Sequence, residues 1–370
     1  MKIKAAVLQE PKSKYTIKDV QLDEPRPDEI LVKIVATGIC HTDIAVTNQQ
    51  IPFPIPGILG HEGAGIVEKV GANIQKVAVG DHVVLAPGAC GTCEQCIAGH
   101  PSYCFNFHKL NLSGKRADGS CAYHDGNQEL GGFFFNQSSF ATYTLTNESS
   151  VVKVTKEIDL ALLGPLGCGI QTGAGTVFNV AKPQAGDIIA ISGVGPVGLA
   201  AIMAAKVAGC TKIIAIDIHE ERLTFAKELG ATHTINSKNI VEVSQYIREN
   251  LAPNGLNHAI DTTAINSVIN ELVKAMRSNT TVYTLGVMKA GGKLEIDYSP
   301  FSFGVAVRSV IEGDSIPDLF IPRLIQLHLD GVFPFDKMIT FYELDEINQA
   351  VEDSGKGIVI KPIIRMPHQA

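Results

Sequence analysis

Four cysteines crowd into fifteen positions of this chain, spaced Cys90-x2-Cys93-x2-Cys96-x7-Cys104. Four thiolates on one short lobe can close a tetrahedron around a divalent ion and leave no position for water, which is the chemistry of a structural zinc site. The competing reading is an iron–sulfur cluster, because C-x2-C-x2-C also opens ferredoxin motifs. There the fourth cysteine follows after three residues and precedes proline, whereas Cys104 follows after seven and precedes Phe105. The spacing predicts zinc.

A second pattern, Gly193-Val194-Gly195-Pro196-Val197-Gly198, directly follows a β-branched run and opens an Ala-rich one. The first glycine permits a tight turn, the second lets backbone N–H groups approach a pyrophosphate, and the third lets helix and strand touch. The helix N-terminus then holds the anion. The same glycines could serve a bare strand-to-helix turn. Asp217, nineteen residues after Gly198, argues for a dinucleotide, since an acid there accepts hydrogen bonds from the adenosine ribose hydroxyls. The residue after it is Ile218 rather than a cation for a 2′-phosphate, so NAD is expected over NADP.

Further donors are scattered: Cys40-His41-Thr42-Asp43, Gly60-His61-Glu62 and Gly167-Cys168-Gly169. Taken singly, a cysteine or histidine more often fills a core than binds a metal. Spacing alone does not join these three places. Cys121 and Cys210 are expected to be buried or idle thiols.

Two kinds of element must position these groups. Up to about Lys156 the chain consists of short β-rich runs (IKAAVLQ, EILVKIVATG, GAGIVEKVG, HVVLAP, FATYTLT) separated by Gly, Pro and Asn, which predicts a barrel-like β domain. From about Gly169 strands and helices alternate: strand Ile188 to Ser192, helix Pro196 to Ala208, strand Lys212 to Ile216, helix Glu220 to Leu229, then strands near Ala259 and Val282. Repeated βαβ units mean a doubly wound parallel sheet, and Gly209 and Gly230 fall where the helix C-termini need caps. After about Glu312 the alternation stops. The expected domains are therefore 1–169, 170–311 and a segment 312–370 that returns to the first.

Composition bounds the rest. The 370 residues are 45% hydrophobic and 19% charged, enough for two or three globular domains and too apolar for disorder. A net charge of −7 argues against nucleic acid as a partner, because phosphate binding needs clustered cations. Ile188 to Ala205 is uncharged and long enough to weigh as a membrane helix, but Gly193, Gly195, Pro196 and Gly198 interrupt it, so no membrane partner is expected. The apolar run from Ala5 is too short for a secretory signal, so the cytoplasm and reduced thiols are expected.

The segments GICHTD (38–43), GHEGAGIVEKVG (60–71), the four-cysteine lobe, GPLGCGIQTGAG (164–175) and the glycine pattern with Asp217 occur in one order, and in that order the chain resembles the zinc-dependent medium-chain alcohol dehydrogenases. Residues 137–143 (QSSFATY), FIPRL and FPFDKMITFYELDEINQA look most like the aryl-alcohol (benzyl alcohol) branch, with geraniol-type allylic alcohol dehydrogenases beside it.

The resemblance implies an α/β protein with a GroES-like β-barrel catalytic domain and a Rossmann NAD-binding domain. It implies two zinc ions per subunit, one structural at the four cysteines and one catalytic at Cys40, His61 and Cys168. Glu62 would stand behind the catalytic ion or bind it transiently, and Asp43 would orient the ligating histidine. Thr42 would relay the alcohol proton, although the histidine that ends this relay in some relatives is Ala45 here. His41, Thr172, Arg222 and Val287 join Gly193, Gly195, Pro196, Val197, Gly198 and Asp217 as cofactor contacts. Ile51, Phe53, Phe140 and Val287 are candidates to close the substrate pocket. The implied reaction is reversible oxidation of primary aromatic alcohols by NAD, in a homo-oligomer with a tetramer favoured over a dimer. The alternatives are allylic alcohols and, remotely, a nicotinamide-binding module without catalysis.

Overall fold

Alternating apolar residues make the first part of the chain a set of half-buried strands. Lys2–Leu8 pairs antiparallel with Tyr15–Leu22 and buries most of its apolar positions. The structure, a computed structural model, describes residues 1–288 and 291–368, and the chain divides into two compact units. The first contains Met1–Cys168, Ile316–Leu324 and the described residues from Asp336 onward. The second contains Gly169–Ser315 and Ile325–Phe335.

Two sheets build the first unit. One contains the order Glu62–Val70, Ile30–Gly38, Lys361–Arg365, Ile339–Glu343, extended on the Glu62–Val70 side by His82–Leu85 and Val151–Lys153. The strand Lys361–Arg365 runs antiparallel to Ile30–Gly38 with Ile363 opposite Gly38, and Gly38 faces Glu62 across the next pairing. This register brings the end of the chain beside a residue near its start. The core between the sheets is aliphatic and aromatic, with Leu8, Leu31, Ile34, Ile58, Phe134 and Phe140 fully buried.

The second unit is a six-stranded sheet in the order His233–Asn236, Lys212–Asp217, Ile188–Ser192, Leu256–Asp261, Met276–Thr284, Ala306–Ser309, all parallel. The strand order reverses at Ile188–Ser192, and in open parallel sheets such a reversal opens a crevice at the carboxyl ends of the strands. The stretch weighed as a membrane helix is a strand, a turn and the helix Pro196–Val207. Among the described residues no helix is long and apolar enough to cross a membrane.

The tail is divided, contrary to the expectation that all of it returns to the first unit. Residues 312–315 stay with the second because their backbone presses on the helix Gly169–Gly175: a Cβ on Gly175 would stand 2.7 Å from the Gly313 carbonyl. Ile325–Phe335 stays because Phe333 and Phe335 are buried there, with the Phe335 ring 4.6 Å from that of His328.

Candidate functional site

The three scattered places converge. One donor atom each from Cys40, His61, Glu62 and Cys168 lies within 4.8 Å of the others. Cys40 caps the short helix His41–Thr47, where the Asp43 carboxylate accepts from the Cys40 N–H at 2.9 Å. His61 leads into the strand Glu62–Val70. Cys168 follows the turn Gly164–Gly167, which presses so closely on the sheet that a Cβ on Gly167 would stand 2.0 Å from the Leu85 carbonyl.

Asp43 organises this cluster. Fully buried, it accepts from the Gly60 N–H and lies 3.1 Å from His61 Nδ1 with the same oxygen. That partner places the ring proton on Nδ1 and leaves the Nε2 lone pair free. Nε2 is buried and has no hydrogen-bond partner among the described residues. An orphaned buried acceptor beside two thiols is what a divalent ion requires. Against the desolvation of a buried ring, the Asp43 charge raises the His61 pKa well above its ordinary value. Hydrogen bonding with Cys168, with the positive field of His61 beside it, holds the Cys40 thiol well below the usual range despite burial. The Asp43 carboxylate and the Cys40 thiolate thus supply the negative charge that a divalent cation would neutralise. The Thr42 hydroxyl lies 3.8 Å from Cys40 Sγ, whereas the buried Ala45 has no side-chain group to relay a proton.

The four-cysteine lobe is equally compact. Sγ atoms stand 3.5 Å apart for Cys93 and Cys96 and 4.0 Å apart for Cys90 and Cys96 and for Cys93 and Cys104. Thiolates sharing one ion with bonds of about 2.3 Å are about 3.8 Å apart at a tetrahedron's edges. In a four-iron cluster each thiolate binds a different iron and stands farther from its neighbours. Backbone N–H groups of Cys93 and Asn106 point at Cys90 Sγ and Cys104 Sγ, and the N–H of Thr92 leads the group that pushes the Cys90 thiol down to about 5.

In the second unit, the helix Pro196–Val207 begins directly after Gly195, with proline in its first turn. A Cβ on Gly198 would stand 2.1 Å from the Gly193 carbonyl, whereas one on Gly195 would meet nothing within 4 Å. Gly198 thus serves packing, and the space over Gly195 is a cradle open to a pyrophosphate. Asp217 ends its strand and ties the loop together, accepting from Val194 N at 2.8 Å, Ile218 N at 2.7 Å and His219 N at 3.0 Å. Ile218 is exposed, and Arg222 lies half-buried on the following helix with no partner for its Nε among the described residues. Val287 is exposed beyond the carboxyl end of Met276–Thr284, Thr172 is half-buried on Gly169–Gly175, and His41 is exposed at its helix start.

Residues 26–156 match the alcohol dehydrogenase GroES-like domain, and residues 196–326 the zinc-binding dehydrogenase domain. The chain is 37% identical over 362 residues to a geraniol dehydrogenase of Castellaniella defragrans, covering 97% of this chain and 96% of the relative. This chain belongs to the zinc-dependent medium-chain alcohol dehydrogenases. Its structure is similar to an alcohol dehydrogenase zinc-binding domain protein from Burkholderia ambifaria, with a TM-score of 0.97 and 48% identity over the whole of both chains. It is also similar to benzyl alcohol dehydrogenase from Acinetobacter calcoaceticus, with a TM-score of 0.96 and 44% identity over 99% of this chain and 100% of that one.

Sequence reasoning missed three parts of this alcohol dehydrogenase. Lys361 is buried and donates to both oxygens of Glu62, at 2.9 and 2.8 Å, and to the Ile39 carbonyl. Burial pushes the Glu62 carboxyl up, and the Glu62 charge keeps the desolvated Lys361 ammonium above its ordinary pKa. Gly38 makes the room, since a Cβ there would stand 2.1 Å from Glu62 Oε2. The second part is Phe134 and Phe135: Phe135 stacks on the His61 ring at 4.6 Å and Phe134 meets it edge-on at 5.3 Å. The third is Gln137, which accepts from Gly63 N and donates to the His61 carbonyl, each at 3.0 Å. The visible signal was the GGFFFNQSS run itself. Phe140, proposed for the pocket, lies in the core instead, edge-on to Tyr15, because its backbone follows the Leu59–Gly60 segment.

Two expected results follow from these contacts. Lys361→Met removes the counter-charge on which both Glu62 oxygens rely and lowers folding stability by about 3–5 kcal/mol. Urea denaturation reads the loss, and an unchanged midpoint would show that the pair contributes nothing. Asp43→Asn weakens the orientation of His61 and loosens metal at this cluster about 10- to 100-fold. Competition with a chelator measures it, and equal metal retention by variant and parent would contradict the role.

Proposed function

We propose that the enzyme oxidises primary aromatic alcohols of the benzyl alcohol type to aldehydes with NAD, reversibly, and holds two zinc ions per subunit. The carrying observation is the likeness to benzyl alcohol dehydrogenase over 99% of this chain, together with the convergence of Cys40, His61 and Cys168. The 44% identity to benzyl alcohol dehydrogenase supports the same reading.

When bound, zinc supplies Lewis acidity toward the alcohol oxygen and the nicotinamide supplies the electron-pair acceptor. Cys40, His61 and Cys168 would hold the catalytic ion, which would supply its Lewis acidity to the substrate oxygen. Asp43 keeps His61 in the ligating tautomer. Lys361 holds Glu62 at the edge of the set. Thr42 would accept the alcohol proton at its hydroxyl oxygen while passing its own hydroxyl proton on toward solvent, and Ala45 has no side-chain group to receive it. Asp217 and the Gly195 helix start would hold the cofactor, the carboxylate accepting from ribose hydroxyls.

Allylic terpenoid alcohols form the second reading, favoured by the likeness to geraniol dehydrogenase. Following NADH formation with benzyl alcohol, cinnamyl alcohol, geraniol and ethanol decides between them. The proposal expects the highest kcat/KM on benzyl alcohol, and a geraniol value above it would replace the aromatic reading. Metal analysis before and after mild chelation counts the ions, with two per chain expected.

A further inference from the structure

We propose that Glu312 is a positioning residue for the nicotinamide half of the cofactor and acts through Thr172, an inference that rests on the nicotinamide reading of the second unit. Asp217 ends a strand on one side of Ile188–Ser192 and holds the adenosine end there. A dinucleotide laid across the Gly195 helix start must then carry its other half over the strands on the opposite side, Leu256–Asp261, Met276–Thr284 and Ala306–Ser309. The turn that contains Glu312 follows the carboxyl end of the last of these.

This turn is strained. Glu312, Gly313 and Asp314 adopt φ of +50°, +64° and +48° in succession, a left-handed run that costs free energy at the two non-glycine positions. Its side chains and backbone are tied to the helix before the cofactor fold. Glu312 Oε2 accepts from Gln171 Nε2 at 3.0 Å and lies 3.5 Å from Thr172 Oγ1. The Gly313 carbonyl accepts from Asn179 Nδ2 at 3.0 Å, and Arg308 lies 3.6 Å from the Asp314 carboxylate. The residue after Thr172 touches the first turn of the cofactor helix: a Cβ on Gly173 would stand 2.0 Å from the Val197 carbonyl. Thr172 therefore stands between the glycine pattern and the strained turn, and Glu312 is the buried carboxylate that reaches its hydroxyl. Strain held in place by several independent contacts marks a position whose geometry is used. Here it aims an acceptor at the hydroxyl, which orders Thr172 beside the path of the nicotinamide ribose and ring.

Binding of NADH and of ADP-ribose, which lacks the nicotinamide, separates this role from simple support of the fold. Glu312→Ala should raise the NADH dissociation constant about tenfold or more, as expected for loss of a charge-assisted hydrogen bond, and leave ADP-ribose binding unchanged. Glu312→Gln, whose amide oxygen still accepts from Gln171 and Thr172, should restore most of the NADH affinity. Thr172→Val added to Glu312→Ala should cost nothing further if the carboxylate acts through that hydroxyl. Equal weakening of both ligands, unaltered NADH binding, or full additivity with Thr172→Val each overturns the inference. Failure of the unmodified protein to bind NADH would remove the nicotinamide reading itself, and this inference with it.

Discussion

His61→Ala should lower kcat/KM for alcohol oxidation by about three orders of magnitude and reduce the bound zinc by one ion per chain. The metal's stabilisation of developing charge on oxygen is worth several kcal/mol, and about 4 kcal/mol corresponds to that factor. Removing the imidazole takes away the one nitrogen donor of the set and leaves two thiols and a carboxylate around the same point. The effect is local because Asp43 still accepts from the N–H groups of Cys40 and Gly60 after its ring partner is gone. The four-cysteine lobe shares no residue with this cluster and should keep its ion. Metal analysis and steady-state kinetics on the same preparation give both readouts. Unchanged zinc content, or full activity without the second ion, would refute the assignment of the catalytic centre.

Asp217→Gly combined with Ile218→Arg should move the preference from NAD toward NADP. A carboxylate about 4 Å from a 2′-phosphate in an effective dielectric near 20 opposes it by about 4 kcal/mol, so the NADP/NAD ratio of kcat/KM should rise by up to about three decades. Ile218 is exposed, so a guanidinium there reaches the phosphate without disturbing the core. The structure adds a cost. Asp217 is the acceptor for three backbone N–H groups that shape the glycine loop and the following turn, and all three lose it in the double variant. NAD turnover should therefore fall by more than NADP turnover rises, and the melting temperature should drop with it. An unaltered coenzyme ratio would sink the role given to Asp217.

Some of this molecule was legible because its signals are local. The strand Ile188–Ser192 and the helix Glu220–Leu229 stand where the alternation of apolar runs and glycine caps put them, and Gly209 and Gly230 take left-handed or related φ of +86° and +132°. The N-terminal strands likewise follow their short apolar runs, although the sequence does not state which strand lies beside which. The long helix Pro317–Leu329 shows the limit, since its two halves belong to different units and no composition change marks the divide.

The candidate sites follow the same division. The glycine turn with Asp217 and the four-cysteine lobe were determined by the sequence itself, because each depends on residues within a few turns of chain whose geometry is set by steric limits and short-range hydrogen bonds. The grouping of Cys40, His61 and Cys168 came only with family likeness, and tertiary structure alone decided what stands around it. Lys361 meets Glu62 across 299 residues, through the antiparallel register that sets Ile363 opposite Gly38, and the Phe134–Phe135 pair is turned onto His61 by Phe133 and Phe135 at φ of +53° and +50°. Contacts of that kind have no periodicity to read. They form when loop closure brings distant segments together and packing leaves a single arrangement in which buried charges are paired.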